Sequence, residues 1–244
     1  MVDKNYLHTA YANSANGTNG FTTVYPNLNL LDGTKDFSGN WENSSGWVTD
    51  GTYKGLAVKK RTAPWNGIYK TFTAPKDGVY TFSAYVKWSG SRVSVYRYVA
   101  INGGKPNIIV PNTRIGDTFD WLRDSFHVTL KAGDTIYAKY EITASGADSV
   151  LWTAGHKWEL GLIATSYMTS ASEVTTADWP KYVGTYVDTN LVSSAEPSKY
   201  DWDEMKYRVY LDGTPVGGSK LLSFDLENLK AGTSLNGLYP DGIS

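Results

Sequence analysis

The segment Gly78-Val-Tyr-Thr-Phe-Ser-Ala-Tyr-Val-Lys87 alternates between apolar and mixed side chains with a period of two residues. Tyr80, Phe82, Ala84 and Val86 fall on one side of an extended strand, and the residues between them fall on the other side. Because successive side chains of a strand point to opposite faces, this pattern predicts a β-strand with one face in a core.

The same alternation recurs from Gly55 to about Ser166, with turn signals at intervals of about 8 to 12 residues. It predicts strands near 55–61, 68–73, 79–88, 92–102, 121–130, 134–143 and 149–163. No helical periodicity of any length interrupts these strands. The expected fold is therefore all-β, an antiparallel two-sheet β-sandwich with small β-rich flanking segments.

The flanks of this central part differ from it in composition. Residues 1–27 are rich in Asn, Thr and Gly and have little apolar patterning. Residues 167–206 are polar and rich in turn signals, whereas 207–229 regain a strand pattern. Two or three strands are too few to stand alone, so we expect this tail to pack on the sandwich or to begin a further β domain.

Composition excludes several classes of function. The chain has 244 residues, a net charge of -1 and no cysteine, which disfavours nucleic-acid binding and removes disulfides and thiolate chemistry. No run approaches the roughly 18 apolar residues of a membrane span, and the N-terminus has no signal-peptide pattern. The 9 Trp and 18 Tyr exceed what one core obviously needs, which favours a surface lined with aromatic rings.

Three segments carry a family resemblance. They are Ala10-Tyr-Ala-Asn-Ser-Ala-Asn-Gly-Thr-Asn-Gly-Phe21, Trp179-Pro-Lys-Tyr-Val-Gly-Thr-Tyr-Val-Asp-Thr-Asn190 and Pro197-Ser-Lys-Tyr-Asp-Trp202. They resemble segments of tail-tip, baseplate and tail-fibre proteins of phages that infect Gram-positive bacteria, in which they look like two halves of one structural unit. The resemblance covers residues 8–202.

The sequence between these halves resembles a second kind of module. It opens with Asn29-Leu-Leu-Asp-Gly-Thr-Lys-Asp-Phe-Ser-Gly-Asn-Trp41 and closes with Lys157-Trp-Glu-Leu-Gly161, as do jelly-roll carbohydrate-binding modules inserted in such tail proteins. The resemblance implies a jelly roll and four parts: scaffold segments 1–27 and 167–206, a carbohydrate-binding module 28–166, and 207–244 as the start of a further β domain or a packed C-terminal hairpin.

The first candidate saccharide site lies around a predicted loop tip. Trp65 sits between the turn-forming Pro64 and Asn66-Gly67, with Arg61 and Tyr69 nearby. A sugar site pairs aromatic rings, which contact the C–H face of a pyranose, with polar groups that bind its hydroxyls. We therefore expect Trp65, Arg61, Asn66 and Tyr69 to contact saccharide. The alternative is that Trp65 folds back as a lid on the sandwich.

The second candidate site is the non-core side of four strands, where each strand offers aromatic, cationic or hydroxyl groups. The set is Tyr85, Lys87, Tyr96, Tyr98, Trp121, Arg123, Tyr137 and Lys139. On one face they would make a wide groove, and we expect Tyr85, Tyr96, Tyr98, Trp121 and Arg123 to contact saccharide. The alternative is that flanking segments cover them as ordinary cross-strand pairs. The remaining Trp residues, Trp41, Trp47, Trp152, Trp158, Trp179 and Trp202, are assigned mainly to packing.

Catalysis is not expected. A glycosidase needs two carboxylates about 5 to 10 Å apart across the scissile bond, yet most acidic residues here lie in turns. Glu141 and Glu159 can pair with Lys139 and Lys157 on a solvated face, and the three histidines have no ligand spacing. No cofactor is expected. The resemblance admits a structural calcium ion, but no run has a calcium-loop spacing, so its ligands are unknown.

These observations predict a non-catalytic phage tail component at the tail tip or fibre. It would bind host cell-surface polysaccharide at the outer surface of the host cell and contact other tail subunits, but neither nucleic acid nor membrane. Two alternatives remain. The chain would be a structural tail or baseplate domain that mediates subunit contacts, or the targeting module of a wall-degrading enzyme.

Overall fold

A computed structural model describes most of the chain. The described residues are 4–90, 94–103, 110, 112–116, 119–143 and 148–205, with the backbone alone of 207–211, 214–215 and 238–240. The predicted C-terminal part 207–244 therefore lies largely outside the described residues, as do the first residues of the strand predicted near 92–102. No helix in the described part is long and apolar enough to cross a membrane.

The fold is all-β, as the alternation predicts. The strands are β1 (Tyr6–Ala12), β2 (Val48–Tyr53), β3 (Leu56–Arg61), β4 (Phe72–Thr73), β5 (Gly78–Ser89), β6 (Val95–Ile101), β7 (Thr113–Gly116), β8 (Phe119–Leu130), β9 (Thr135–Ile142), β10 (Val150–Leu160), β11 (Tyr182–Asp188), β12 (Asp201–Glu204), β13 (Tyr207–Leu211), β14 (Thr214–Pro215) and β15 (Leu238–Pro240). Helical turns in the described part are limited to three 3-10 segments, Ser44–Gly46, Thr176–Asp178 and Pro197–Lys199. Among the strands whose side chains are described, the sequence pattern misses β1, β2, β7, β11 and β12.

The chain divides into two compact units. The larger unit comprises residues 27–174, and the smaller one comprises 1–26 together with 175–244. The larger unit is a jelly-roll sandwich of two antiparallel sheets. One sheet has five strands in the order β2-β3-β10-β5-β8, and the other has four in the order β4-β9-β6-β7. The main core lies between them and contains the fully buried Trp88, Trp158 and Tyr80.

Strand β5 follows its predicted pattern on the core side, where Tyr80, Phe82, Ala84 and Val86 have no exposed surface. Its other side is also buried at Thr81, Ser83 and Tyr85, although the alternation predicts a non-core face there. The reason is a covering segment, residues 161–167, that crosses the outer face of the five-stranded sheet. Its carbonyls accept hydrogen bonds from this face, including that of Gly161 from the Thr81 hydroxyl at 2.7 Å.

A bulge in β10 corrects the predicted role of Glu159. The pairing with β5 shifts between Ala154 and Lys157, around Gly155 with a φ of +58°. The shift places the imidazole of His156 in the core, and Lys157 and Glu159 on the outer side. This pair is not on a solvated face: neither side chain is exposed, and their charged atoms lie 3.2 Å apart.

Burial explains the pKa values of two neighbours in β10. Desolvation lowers the pKa of His156 to about 3, so the imidazole is neutral. Its Nε2 lies 2.8 Å from the Thr153 hydroxyl. Burial also lowers the pKa of Lys157 to about 8, against the opposing effect of Glu159. The ammonium of Lys157 donates to the Thr165 hydroxyl and to the carbonyl of Ser166, at 2.7 and 2.8 Å, and so fastens the covering segment.

The smaller unit joins the two ends of the chain. Strand β1 pairs antiparallel with β11 from Tyr6 opposite Asp188 to Ala12 opposite Tyr182, and β12 continues the sheet. Its rings pack together, as the assignment of Trp179 and Trp202 to packing predicts. Trp179 stacks on Tyr25 with centroids 5.9 Å apart, and Trp202 lies over Gly17.

Candidate functional site

The loop that carries Trp65 lies against strand β9. The Trp65 amide donates to the carbonyl of Ile142 at 3.1 Å, and the Gly67 amide donates to the Glu141 carboxylate at 2.9 Å. A Cβ at Gly67 would lie 2.5 Å from the carbonyl oxygen of Tyr140, so only glycine fits this close approach. Trp65 has a φ of +57° and is 49% exposed. The ring therefore projects into solvent, and the alternative of a folded-back lid does not hold.

The other residues around this loop have different roles. The carbonyl of Asn66 accepts a hydrogen bond from the indole of Trp47 at 2.9 Å, while its side chain is exposed. Arg61 is 9% exposed, and its guanidinium donates to the carbonyls of Gly46 and Pro64 at 2.9 and 3.2 Å. Arg61 thus supports the loop through two of its guanidinium nitrogens, which are engaged by backbone carbonyls.

The outer side of the four-stranded sheet carries a row of aromatic and charged groups. Strands β6 and β9 pair so that Tyr96 lies opposite Glu141, Tyr98 opposite Lys139 and Ala100 opposite Tyr137. From the adjoining loop, Tyr69 stacks on Tyr137 with centroids 4.0 Å apart. We call this surface the tyrosine face, and its members are Tyr69, Tyr96, Tyr98, Tyr137, Lys139 and Glu141.

Charge on the tyrosine face is internally compensated. The Lys139 ammonium lies 2.6 Å from the Glu141 carboxylate, and also 6.0 Å from the ring centroids of both Tyr69 and Tyr137. Burial, followed by neighbouring tyrosine and carboxylate groups, raises the pKa of Tyr69 and of Tyr98. Their phenols therefore stay protonated at neutral pH and can both donate and accept hydrogen bonds.

The structure does not place the second candidate set on one face. Tyr96, Tyr98, Tyr137 and Lys139 belong to the four-stranded sheet, whereas Tyr85, Lys87, Trp121 and Arg123 lie on the outer side of the five-stranded sheet. The prediction of a single groove is therefore wrong, because alternation within a strand says which residues share its two sides but not which sheet the strand joins.

The predicted residues of the five-stranded sheet contact one another, neighbouring strands and the covering segment. Tyr85 is 8% exposed, and Trp121 stacks on Tyr53 with centroids 4.2 Å apart and an interplanar angle of 12°. Arg123 donates to the Ser83 hydroxyl at 2.9 Å and to the carbonyl of Thr165 in the covering segment. Because they belong to the other sheet, Tyr85, Trp121 and Arg123 do not adjoin the tyrosine face.

Sequence reasoning missed the role of Glu141 in this surface. It interprets Glu141 as one half of a solvated ion pair, and the pairing with Lys139 is confirmed. Glu141 is only 5% exposed, however, and its carboxylate also holds the Trp65 loop through the Gly67 amide. The signal was present: Tyr137, Lys139 and Glu141 are spaced by two residues and so share one side of β9.

Groups suited to metal binding do not converge in the described part of the chain, where no cluster of three or more His, Asp or Glu could hold an ion. His156 is buried in the core, and His8 lies in the smaller unit, where its Nε2 is 3.0 Å from Asp188. His127 is exposed on β8.

Comparison with known proteins finds a similar chain in a phage baseplate. A chain in the tripod (BppUct-A-L) from the baseplate of bacteriophage Tuc2009 is 42% identical, and the similarity covers 96% of this chain and 91% of that one, with a TM-score of 0.57. The chain belongs to this family of phage baseplate proteins. The resemblance to phage tail proteins is thereby confirmed. Residues 180–237 also match the family of the minor structural protein 5-like C-terminal domain.

More distant structural likenesses involve carbohydrate-binding modules. TmCBM61, solved with β-1,4-galactotriose, is 12% identical over 55% of this chain and 100% of that one, with a TM-score of 0.42. The CBM22-1 xylan-binding domain of Paenibacillus barcinonensis Xyn10C is 18% identical over 58% of this chain and 99% of that one, with a TM-score of 0.39. Likeness at this level does not imply what this baseplate protein binds. No curated protein matches the chain.

Proposed function

We propose that this baseplate protein binds polysaccharide of the host cell surface through the tyrosine face and Trp65, without cleaving it. The observation that carries the proposal is the meeting of partly exposed rings and fixed polar groups on one sheet face. Tyr69, Tyr96, Tyr98 and Tyr137 supply rings and hydroxyls, and Lys139 supplies donors between them. Such a combination suits a pyranose, which presents both C–H patches and hydroxyls.

The ion pair with Glu141 gives this surface a defined geometry. Because Glu141 binds both Lys139 and the Gly67 amide, one buried carboxylate fixes the position of a cation and of the loop that presents Trp65. Glu141 is therefore a positioning residue. A preorganised surface loses less conformational entropy on binding, which matters for a shallow site of modest affinity.

Weak single sites suit a virion component. If a baseplate carries several copies of this chain, linked sites raise the overall affinity through effective concentration by roughly 10² to 10⁴. A tail could thus adsorb to a repetitive polysaccharide although each face binds it weakly. The main rival is a structural role, in which the same rings contact neighbouring baseplate subunits.

The test is labelling of candidate Gram-positive host cells by a fluorescent fusion of the full chain. Tyr137→Ala and Trp65→Ala should each reduce binding to a labelled strain about tenfold, equivalent to 1.4 kcal/mol. Tyr6→Ala, a matched tyrosine change in the smaller unit, should leave labelling unchanged. Equal labelling by Tyr137→Ala and the native chain would exclude the tyrosine face.

Two further results separate the alternatives. Failure to label any strain, with the chain eluting as a stable oligomer, would favour the structural rival. Release of reducing sugar ends from polysaccharide of a labelled strain would contradict a non-catalytic role. We expect labelling without such release.

A further inference from the structure

A second group of rings and cations lies on the outer side of the five-stranded sheet. We call it the cation–aromatic cluster, and its members are Tyr53, Lys54, Tyr85, Trp121 and Arg123. The Lys54 ammonium and the Arg123 guanidinium carbon lie 5.2 and 5.4 Å from the same ring centroid, that of Tyr85. Tyr53 meets Tyr85 edge to face at 5.3 Å and stacks on Trp121.

The two cations of this cluster lack counterions, unlike their neighbours. Lys60 is paired with Asp50 at 3.2 Å, and Lys87 with Asp120 at 3.0 Å. Among the described residues, no carboxylate lies within ion-pair distance of Lys54 or Arg123. The partners of Arg123 are a hydroxyl and a carbonyl, and its buried Nε has no acceptor in the described part of the chain.

The backbone conformation of Lys54 is unusual for a lysine and independently points to this residue. Lys54 and Gly55 form the two-residue turn between β2 and β3, with φ values of +51° and +76°. Such turns favour Asn, Asp or Gly at the first position, because a left-handed conformation strains other residues. The turn instead carries a lysine whose ammonium reaches back over Tyr53 and Tyr85, at 5.7 and 5.2 Å. Strained residues of this kind concentrate at functional sites.

We infer that the cation–aromatic cluster binds an oxyanion carried by a saccharide, a phosphate or a carboxylate group. Two uncompensated cations beside one ring would bind the charged group, and the half-buried Trp121 and Tyr53 would contact the sugar that carries it. The tyrosine face is not suited to bind an oxyanion, since its lysine is already neutralised by Glu141. The inference concerns a separate site and does not depend on the proposed function of the tyrosine face.

The test uses two matched pairs of polysaccharides with the full chain at low salt. The pairs are phosphomannan with dephosphorylated mannan, and polygalacturonate with its methyl ester. We expect binding to an anionic member at least about tenfold tighter than to its neutral partner, and weakening as NaCl rises. Preference within one pair alone identifies the oxyanion as phosphate or as carboxylate. Equal binding within both pairs, or binding to none of the four, overturns the inference.

Substitution at Lys54 separates binding from folding. Lys54→Asn suits the left-handed turn better, so its melting temperature should stay the same or rise, while affinity for the preferred anionic polysaccharide falls several-fold. Lys131→Asn makes the same charge change at an exposed residue paired with Asp77 and should bind like the native chain. Equal affinity of the Lys54→Asn and Lys131→Asn variants would overturn the assignment.

Discussion

The two outer faces of the sandwich start from the same sequence pattern and become different surfaces. On both, aromatic residues and cations alternate with core residues along neighbouring strands. On the four-stranded sheet, Glu141 neutralises Lys139 and the tyrosines remain partly exposed. On the five-stranded sheet, residues 161–167 cover much of the face, and Lys54 and Arg123 have no carboxylate partner among the described residues. What neighbouring segments contribute therefore decides the character of each face.

The largest expected effect concerns the carboxylates that serve the two faces. Glu159→Gln leaves the ammonium of Lys157 fully buried without a counterion, which should lower the free energy of unfolding by about 3 to 5 kcal/mol. Glu141→Gln should cost about 1 to 3 kcal/mol, because the side chain of Lys139 is 19% exposed and keeps some contact with water. Urea denaturation measures both values.

The double variant Lys157→Met/Glu159→Leu is the control, since removing both charges of a buried pair should restore much of the lost stability. If Glu141→Gln destabilised the chain as much as Glu159→Gln, the ion pair of the tyrosine face would be as dependent on burial as the pair beneath the covering segment, and the contrast between the two outer faces would not hold.

The next prediction concerns the core between the two sheets, where β10 places the imidazole of His156. Its burial should make folding stability depend on pH. The pKa of His156 is about 3 in the folded chain, against about 6.5 when unfolded. Between these values the unfolded chain binds a proton that the folded chain does not. Folding stability should therefore decrease as the pH falls from 6.5 to 3, with a contribution of about 1.4 kcal/mol per pH unit.

The measurement is a series of denaturation curves across this pH range for His156→Gln and for His127→Gln, which changes an exposed histidine. We expect a shallower dependence on pH only in the first variant, whatever its absolute stability. Parallel curves for the native chain and His156→Gln would show that the imidazole does not titrate on unfolding.

The last prediction concerns the loop that presents Trp65 beside the tyrosine face. Gly67→Ala would force the added methyl against the carbonyl of Tyr140, so the loop must shift, at a cost of about 1 to 3 kcal/mol. Cell labelling should weaken as Trp65 is displaced. Gly78→Ala is the matched control, because its added Cβ would meet only ordinary contacts at 3.7 Å. Unchanged stability in both variants would mean that the loop does not need glycine at position 67.

Much of the fold could be predicted from the sequence. The period-two pattern predicted β3, β5, β8, β9 and β10 to within a few residues, because one side of each strand faces a core. It missed β2, whose residues Val48–Tyr53 are largely exposed and leave no apolar signal. It also could not predict that both sides of β5 are buried, since the segment that covers it follows about 80 residues later.

The candidate site was predictable only in part. The projection of Trp65 and the shared side of Tyr96 and Tyr98 are consistent with local pattern. The supporting role of Arg61 could not be predicted, because its partners are backbone carbonyls that have no sequence signature. The place of Glu141 depends on an amide 74 residues away, that of Gly67.

The sequence by itself determined that the chain forms strands, which residues share a side of each strand, and that rings and cations gather on the outer sides. Only the tertiary structure decided which strands join which sheet, where β10 bulges, and which cations meet a carboxylate. The reason is physical: alternation is a property of one strand, whereas sheet order and charge compensation arise from hydrogen bonds and ion pairs between residues far apart in the chain.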